Sequence, residues 1–568
     1  MANLYDKSSL VLIPSGTKTG KVYSQKPVSG DGDFTFTRSS AATRVNASGN
    51  IEKETQNLLT YSNDFNGWFY STGSSATGGQ AGYDGSNDAW LLNDSGVAAP
   101  TYATYQNFST TGVMTMSLYA KASSRDVVVF DITGTGGAQA EFNLTSGTLV
   151  ASSGAIDTHI EAVGAAGWYR CSVTCNATSA IYVRIGAGGA GTIYLQDVQV
   201  EYGLVARDYI ETTTTAVERG ITDNVPRLDY TDSSCPALLL EPQRTNLVTQ
   251  SEYFSDWFNF RNTLTANSSV SPEGISNAYA MIPETSNDTH FIYFNLTESA
   301  VAYSYSLFAK SNGLQWIQLA KGGGGYANFD LVNGVTGNYG VDITDSDIED
   351  YGNGWYKITA YYTSVGGASN VAISALSSNV TSRYQAFAGN GTDGYYLYGA
   401  QLEAGSYATS YIPTYGSSVT RVDDASAQLT LPDALVDNYT IFLELERMVP
   451  SLTNAVDMFS FYGSGSSRIR VMSHNPNYLR VRLYAADGST SGSLYDTSGD
   501  FAQGNNYKAA IVYSNGTFKC FANGSLFGTT DVVIDATSLF LRQESILKQL
   551  LTFPTALTDQ EAIDLTTI

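Results

Sequence analysis

"QNLLTYSNDFNGWFY", beginning at Gln56, and "RTNLVTQSEYFSDWFNF", beginning at Arg244, set Asn57 against Asn246 and Trp68 against Trp257. The correspondence then continues in one order. "MSLYAKASS" from Met116 answers "YSLFAKSNG" from Tyr305, "EFNLTSGTLV" from Glu141 answers "NFDLVNGVTG" from Asn328, and "GWYRCSVT" from Gly167 answers "GWYKITAY" from Gly354. "IYLQDVQVEYG" from Ile193 answers "YYLYGAQLEAG" from Tyr395, and "YIETTTTAVER", ending at Arg219, answers "YIPTYGSSVTR", ending at Arg421. Self-similarity on this scale marks duplicated structural units, so the chain contains two homologous modules, 53–219 and 244–421. The spacing between partners drifts from 189 residues at Asn57 and Asn246 to 202 at Arg219 and Arg421 as loops change length.

Inside each module, segments such as Tyr-Ser-Leu-Phe-Ala-Lys and Trp-Tyr-Lys-Ile-Thr-Ala alternate apolar and polar residues, with Gly, Asn or Ser at the joins. Period two is the signature of half-buried antiparallel strands. About eight or nine such segments per module fit a jelly roll. Composition agrees: 39 Tyr and 54 Gly with only 15% charged residues favour strands and turns over helices. At 568 residues the chain exceeds one core, and three or four domains are expected.

The flanks differ from the modules. Residues 1–52 are too short for a core of their own, and residues 220–243 hold an apolar "ALLL" between Cys-Pro and Glu-Pro; these two segments are expected to pair with each other around the inserted first module. From 422 to 568 strict alternation returns in "YTIFLELERM", "YLRVRLYAADG" and "YKAAIVYSNGTFKCFANGSLFGTT", with Asn515-Gly516 and Asn523-Gly524 supplying the positive-φ residues of tight hairpins. Thr558 and Glu561 form a capping box that predicts one short helix near the end.

Charge narrows the function. With 53 Asp plus Glu against 30 Lys plus Arg, the net charge of −23 disfavours nucleic acid and anionic membrane as partners. No apolar run approaches a membrane span, and "SSLVLIPSG" is too short for a signal peptide, so neither membrane insertion nor a signal is expected. Cys171, Cys175, Cys235 and Cys520 lack zinc spacing and read as buried thiols, which would suit assembly in a reducing cytoplasm, and His159, His290 and His474 share no metal-ligand pattern.

No catalytic constellation stands out. A glycosidase needs two carboxylates across a cleft, yet the candidates Glu201 and Glu403 lie on the repeated last strand, where a fold role explains both. There is no Gly-x-Ser-x-Gly elbow, and the Gly run at Gly322 lacks the ending of a phosphate loop. The chain is therefore read as a binder, not an enzyme. Trp168 and Trp355 recur at equal scaffold positions and are assigned to the core, while Trp68 and Trp257 stand open between core and ligand. Aromatics in stretches that differ between the copies are the better glycan-binding candidates: Trp90, Tyr102, Tyr105, Trp316 and Tyr326, whose rings could stack on a pyranose C–H face.

Resemblances sharpen the expectation. The Asn-Leu…Trp opener, the "SLYAK"/"SLFAK" strand, Gly-Trp-Tyr and the closing "DVQVE"/"GAQLE" strand resemble carbohydrate-binding modules of the galactose-binding-like jelly-roll kind. That family often holds a structural calcium beside the last strand, which implies Asp197 as a metal ligand in the first module; the second copy has Gly399 there, and no cofactor is required. Residues 422–568 resemble the laminin-G-like, concanavalin A-like lectin sandwich, implying 12–14 strands in two sheets. "FTFTRSSAATRVN" (34–46) with "PALLLEPQRTNL" (236–247) resembles a phrase pair of tailed-bacteriophage fibre and appendage proteins.

The expected fold is thus all-β: two tandem jelly rolls followed by a concanavalin A-like sandwich. The resemblance implies a virion surface protein, head or tail fibre, made in the host cytoplasm. Its implied partners are other virion proteins and host surface polysaccharide, and its implied state is a homo-oligomer, by analogy a trimer. A purely structural decoration or connector protein and a polysaccharide depolymerase stand as alternatives.

Overall fold

The computed structural model describes residues 2–97, 102–164, 167–231, 233–426, 428–448, 456–474, 477–502, 504–542 and 545–567. Regular structure is almost entirely strand. Among the described residues no helix is long and apolar enough to cross a membrane.

Each module is a sandwich of two six-stranded antiparallel sheets. In the first, one sheet runs Asp157–Ala162, Trp168–Ala177, Gly112–Ala122, Gly191–Tyr202, Ala89–Asp94, Ser75–Gln80. The other runs Thr148–Ser153, Ala138–Asn143, Val127–Thr135, Ser179–Gly186, Thr104–Asn107, Phe69–Tyr70. The second module repeats both orders strand for strand. The count exceeds the eight or nine read from alternation because edge strands such as Ser75–Gln80 ("SATGGQ") and Phe69–Tyr70 are too polar or too short to show a period.

The repeated opener has a structural cause. Asn57 is fully buried; its amide donates to the carbonyls of Val198 and Ile210, and its Oδ1 accepts the amides of Leu59 and Val200. Asn246 makes the same four bonds, to the carbonyls of Ala400 and Ile412 and from the amides of Val248 and Leu402. A buried side chain that satisfies four backbone groups at once pins the first strand to the last. Beside it each module closes on itself: Thr55–Asn57 pairs with Val217–Arg219, and Arg244–Asn246 with Val419–Arg421. Chain entry and exit are therefore adjacent in both.

Trp68 and Trp257 resolve to the core. Both are buried and donate their indole N–H to the carbonyls of Tyr61 and Gln250. Trp168 and Trp355 are buried as well, and so are Cys171, Cys175 and Cys520, whereas Cys235, expected to be buried, is exposed in the connector.

The terminal sandwich is assembled from distant pieces. Its eight-stranded sheet includes Leu10–Leu12 and Ala237–Leu240, each hydrogen-bonded to Ser545–Phe553, and its six-stranded sheet runs Leu429–Leu435, Ala536–Leu541, Val456–Tyr462, Arg468–His474, Tyr478–Tyr484, Thr490–Asp496. Residues 1–52 and 220–243 do exchange hydrogen bonds, as between Arg38 and Asn224, but both also belong to the core built on the strand Asn438–Arg447 and its neighbours. Leu10, Leu12, Leu238 and Leu240 are fully buried there, and each such side chain contributes about 1.5–3 kcal/mol on burial. The terminal helix Asp559–Thr566 begins with the Thr558–Glu561 capping box.

Two buried ionic clusters fasten these units. In one, Arg38 and Arg227 pair with Asp424 while Arg227 and Arg421 pair with Glu241, all of them buried, tying the N-terminal segment, the connector and the end of the second module to the start of the terminal sandwich. Burial alone would push the Glu241 carboxyl up, but Arg421 and Arg227 hold it well below the usual range. In the other, Lys53 bridges Glu252 at 2.7 Å and Glu273 at 2.5 Å, and Arg207 reaches Glu273 at 2.9 Å, locking the first module against the second.

Candidate functional site

The two homologous modules present very different surfaces at one equivalent sheet face. In the first module, the sheet ending in Phe69–Tyr70 turns Val128, Phe130, Ile132, Val183 and Ile185 inward, so the alternate residues face out. Cross-strand register sets Tyr105 opposite both Phe69 and Arg184, and Arg184 opposite Asp131. One row thus crosses the sheet as ring, ring, guanidinium and carboxylate.

The rings form a continuous platform. Phe69 stacks on Tyr105 at 5.3 Å, while Tyr102 and Tyr182 meet Tyr105 edge-on at 6.0 and 5.7 Å. Phe69 is 52% exposed and Tyr182 38%, unusual values for rings that could have turned inward. Arg184 lies over the Tyr102 ring at 4.5 Å and grips Asp131 through Nε at 2.8 Å and through Nη2. The hydrogen bond that Arg184 donates to Asp131 holds the guanidinium above its usual pKa, so the pair is a fixed, internally neutralised dipole beside flat apolar surface. Such a surface can stack a sugar ring and offer donors and an acceptor to its hydroxyls.

The second module covers part of the same face with its own chain, while Phe258, 50% exposed, stays stacked on Tyr293 at 4.6 Å. Only residues 187–190 link Ser179–Gly186 to Gly191–Tyr202, whereas residues 377–393 link Gly367–Leu376 to Gly394–Ala404. This longer link accounts for most of the widening repeat spacing, and it folds over the sheet. Gln318 and Asn328, both fully buried, donate to the carbonyls of Ser382 and Val380, and Tyr384 stacks on Phe291 at 4.5 Å.

Of the five aromatic candidates, Tyr102 and Tyr105 come together on the platform. Trp90 does not join them: it is half-buried, donates its indole N–H to the Asn63 carbonyl and leans on Phe65 at 5.8 Å. Trp316 sits in a strand of the second module with its ring against Gly337, and Tyr326 is buried in a small cluster with Ala320 and Ala372. Phe69, Tyr182 and Arg184 were missed. Phe69 has a counterpart in Phe258, itself 50% exposed, so a preference for rings that differ between copies passed over it.

Asp197 occupies a bulge at φ 54°, and Gly399 occupies the same bulge at φ 63°. This left-handed position is what the two share, and Asp and Gly both tolerate it. The Asp197 carboxylate is buried and accepts the Tyr83 hydroxyl at 3.1 Å. Burial pushes its pKa up to about 7; the Tyr83 bond opposes the shift, and the nearby carboxylates of Asp88, Asp84 and Glu211 add to it. Among the described residues no group of three or more His, Cys, Asp or Glu side chains is placed to hold a metal.

Glu201 and Glu403 are structural in their contacts. Each is buried and accepts a backbone amide from the following loop, Arg207 and Thr409 respectively.

No family model matches the chain, and no curated protein matches it. Among solved structures, the CBM40 module of the Ruminococcus gnavus IT-sialidase bound to α2,3-sialyllactose is 17% identical over 23% of this chain and 84% of that one, with a TM-score of 0.21. The tandem CBM22-1–CBM22-2 domain of Paenibacillus barcinonensis Xyn10C is 14% identical over 61% of this chain and 97% of that one, with a TM-score of 0.21. Sheep galectin-11 in complex with glycerol is 14% identical over 22% of this chain and 96% of that one, with a TM-score of 0.19. At these scores no ligand carries over, and the functional reading rests on the geometry of the chain itself.

Proposed function

We propose that the chain is a non-enzymatic glycan-binding protein that adheres through the open sheet face of its first module. The observation that carries this reading is the platform of Phe69, Tyr105, Tyr102 and Tyr182 flanked by the Arg184–Asp131 pair. Exposed, mutually braced rings beside a neutralised ion pair suit a neutral pyranose better than a charged ligand, because the guanidinium is already engaged. One such contact is weak, and display of several copies on a particle would raise avidity without new contacts. The phrase pair at 34–46 and 236–247 supports placing it as a fibre or appendage on the surface of a tailed-phage virion, with other virion proteins and host polysaccharide as partners and a homo-oligomer as its working form. A glycan array probed with the full chain and with Tyr105→Ala tests the reading. Binding that falls at least tenfold in the variant supports it. Silence of the full chain on every glycan, with incorporation into particles retained, would replace it by a purely architectural role. Release of reducing ends from host polysaccharide would replace it by a depolymerase.

A further inference from the structure

The terminal sandwich carries a second surface of opposite character. In its six-stranded sheet Phe459, Phe461, Ile469, Val471, Leu479, Val481 and Leu483 point into the core, so the alternate residues of the same strands face outward. On the neighbouring strands Arg468–His474 and Tyr478–Tyr484 these include Arg468 and Arg470, and Arg480 and Arg482. Register sets Arg470 directly opposite Arg482, and Arg542 follows the strand Ala536–Leu541 on the same sheet. Strand spacing puts the Arg470 and Arg482 stems about 5 Å apart across the sheet, with Arg468 and Arg480 each about 7 Å farther along their own strands, in opposite directions. The six strands of this sheet contain three carboxylates, Asp457, Asp496 and, on the edge strand Leu429–Leu435, the exposed Asp433. Asp457 pairs with Arg470, and Asp496 is buried and accepts the Tyr507 hydroxyl.

This concentration is notable in a chain whose net charge is −23. Like charges directly opposite on neighbouring strands destabilise a sheet, so the Arg470–Arg482 pairing works against folding rather than for it. Tyrosines hold the array in place. Arg468 lies over Tyr484 at 4.5 Å, Arg482 over the same ring at 4.8 Å, and Arg480 over Tyr495 at 5.1 Å. Arg470 donates to the Tyr484 hydroxyl at 3.2 Å, and Arg542 to the Tyr462 hydroxyl at 2.8 Å. Burial pushes both phenols up, yet hydrogen bonds and charge from Arg542 at Tyr462, and from Arg470 at Tyr484, outweigh it and leave both below the usual phenol value. The local field is therefore positive.

We propose that this outer face binds an acidic polysaccharide through its carboxylate or sulfate groups, at a site separate from the platform of the first module and independent of it. Planar guanidinium groups match such oxyanions in pairs. A nucleic acid is the poorer fit on two counts. The tyrosine faces already carry guanidinium groups and leave little ring area for base stacking. The −23 chain also repels a strand with one charge per about 1.7 Å of duplex far more than a polymer charged once per sugar.

The test is affinity gel electrophoresis of the full chain in gels containing polygalacturonate, dextran sulfate or unsubstituted dextran. Retardation by polygalacturonate or dextran sulfate but not by dextran is expected; the first polymer reports carboxylate recognition and the second sulfate. The Arg468→Gln/Arg480→Gln variant should bind at least tenfold more weakly, and so should the wild type in high salt. Arg468→Lys/Arg480→Lys should retain most binding, and Arg542→Gln, at an exposed position, gives a reading that does not depend on repacking the sheet. Retardation by neither anionic polymer, equal retardation by dextran, binding unmoved by the glutamine variants, or tighter binding to single-stranded DNA would each overturn the proposal.

Discussion

Replacing Asn57 by alanine probes the repeated opener at the point where it acts. The side chain makes four hydrogen bonds to backbone groups of three segments, and alanine removes all of them while leaving two amides and two carbonyls in a fully buried place. At about 1 kcal/mol net per bond the loss is about 4 kcal/mol, and each group that water fails to reach adds about 1–3 kcal/mol more. That places the change among the few substitutions with very large effects. Because the chain has several units, a single global unfolding energy is poorly defined, and hydrogen exchange at named amides is the better assay. A loss of about 4 kcal/mol corresponds to exchange roughly a thousandfold faster at Leu59 and Val200. The twin position supplies the control: Asn57→Ala should leave Val248 and Leu402 protected, and Asn246→Ala should expose those two while sparing the first pair. Less than tenfold acceleration, or equal acceleration in both modules, would refute the view that these asparagines pin their own modules.

Two further outcomes follow from buried charge. Asp197 keeps its proton to about pH 7 in the folded chain, against an ordinary value of 3.8, so its contribution to stability is present in full below pH 3.8 and is lost as pH rises through 7. Asp197→Asn, which tolerates the same left-handed backbone, should raise the melting temperature at pH 8 and change it little at pH 4, and added calcium should shift neither; a calcium-dependent rise in the wild type that the variant loses would overturn this. Asp424→Ala leaves Arg38 and Arg227 buried without their shared carboxylate and should cost about 3–5 kcal/mol, read as a lower urea midpoint for the terminal sandwich.

Much of the architecture is visible in the residues because strand period and repeat are local properties. The alternation in "YSLFAK" and "GWYKIT" determines which side chains share a face, and the duplication shows that one scaffold occurs twice. It does not say which outward residues of different strands meet one another. Tyr182 and Arg184 alternate with Val183 and Ile185 in "AIYVRIG" and are placed outward by the period, but only the neighbouring rings of Phe69 and Tyr105 reveal the platform. Tyr326 went the other way: the differing stretch around it buries the ring instead of displaying it. The alternation of "YLRVRLY" separates Arg480 and Arg482 from the core, while the alignment of Arg482 with Arg470 depends on register across a hairpin. Long-range pairing has no local signature at all. Nothing in "SSLVLIP" announces that Val11 will lie opposite Leu551.

That last pairing governs how the molecule comes into being. The strand Leu10–Leu12 is made long before Ser545–Phe553, and at about 5–20 residues per second it waits roughly half a minute to two minutes for its partner. Both jelly rolls, whose ends meet within themselves, can finish during that delay. Manufacture therefore runs from the ornaments to the foundation, and a nascent chain stalled near its end would carry two completed modules on a base still open along one side.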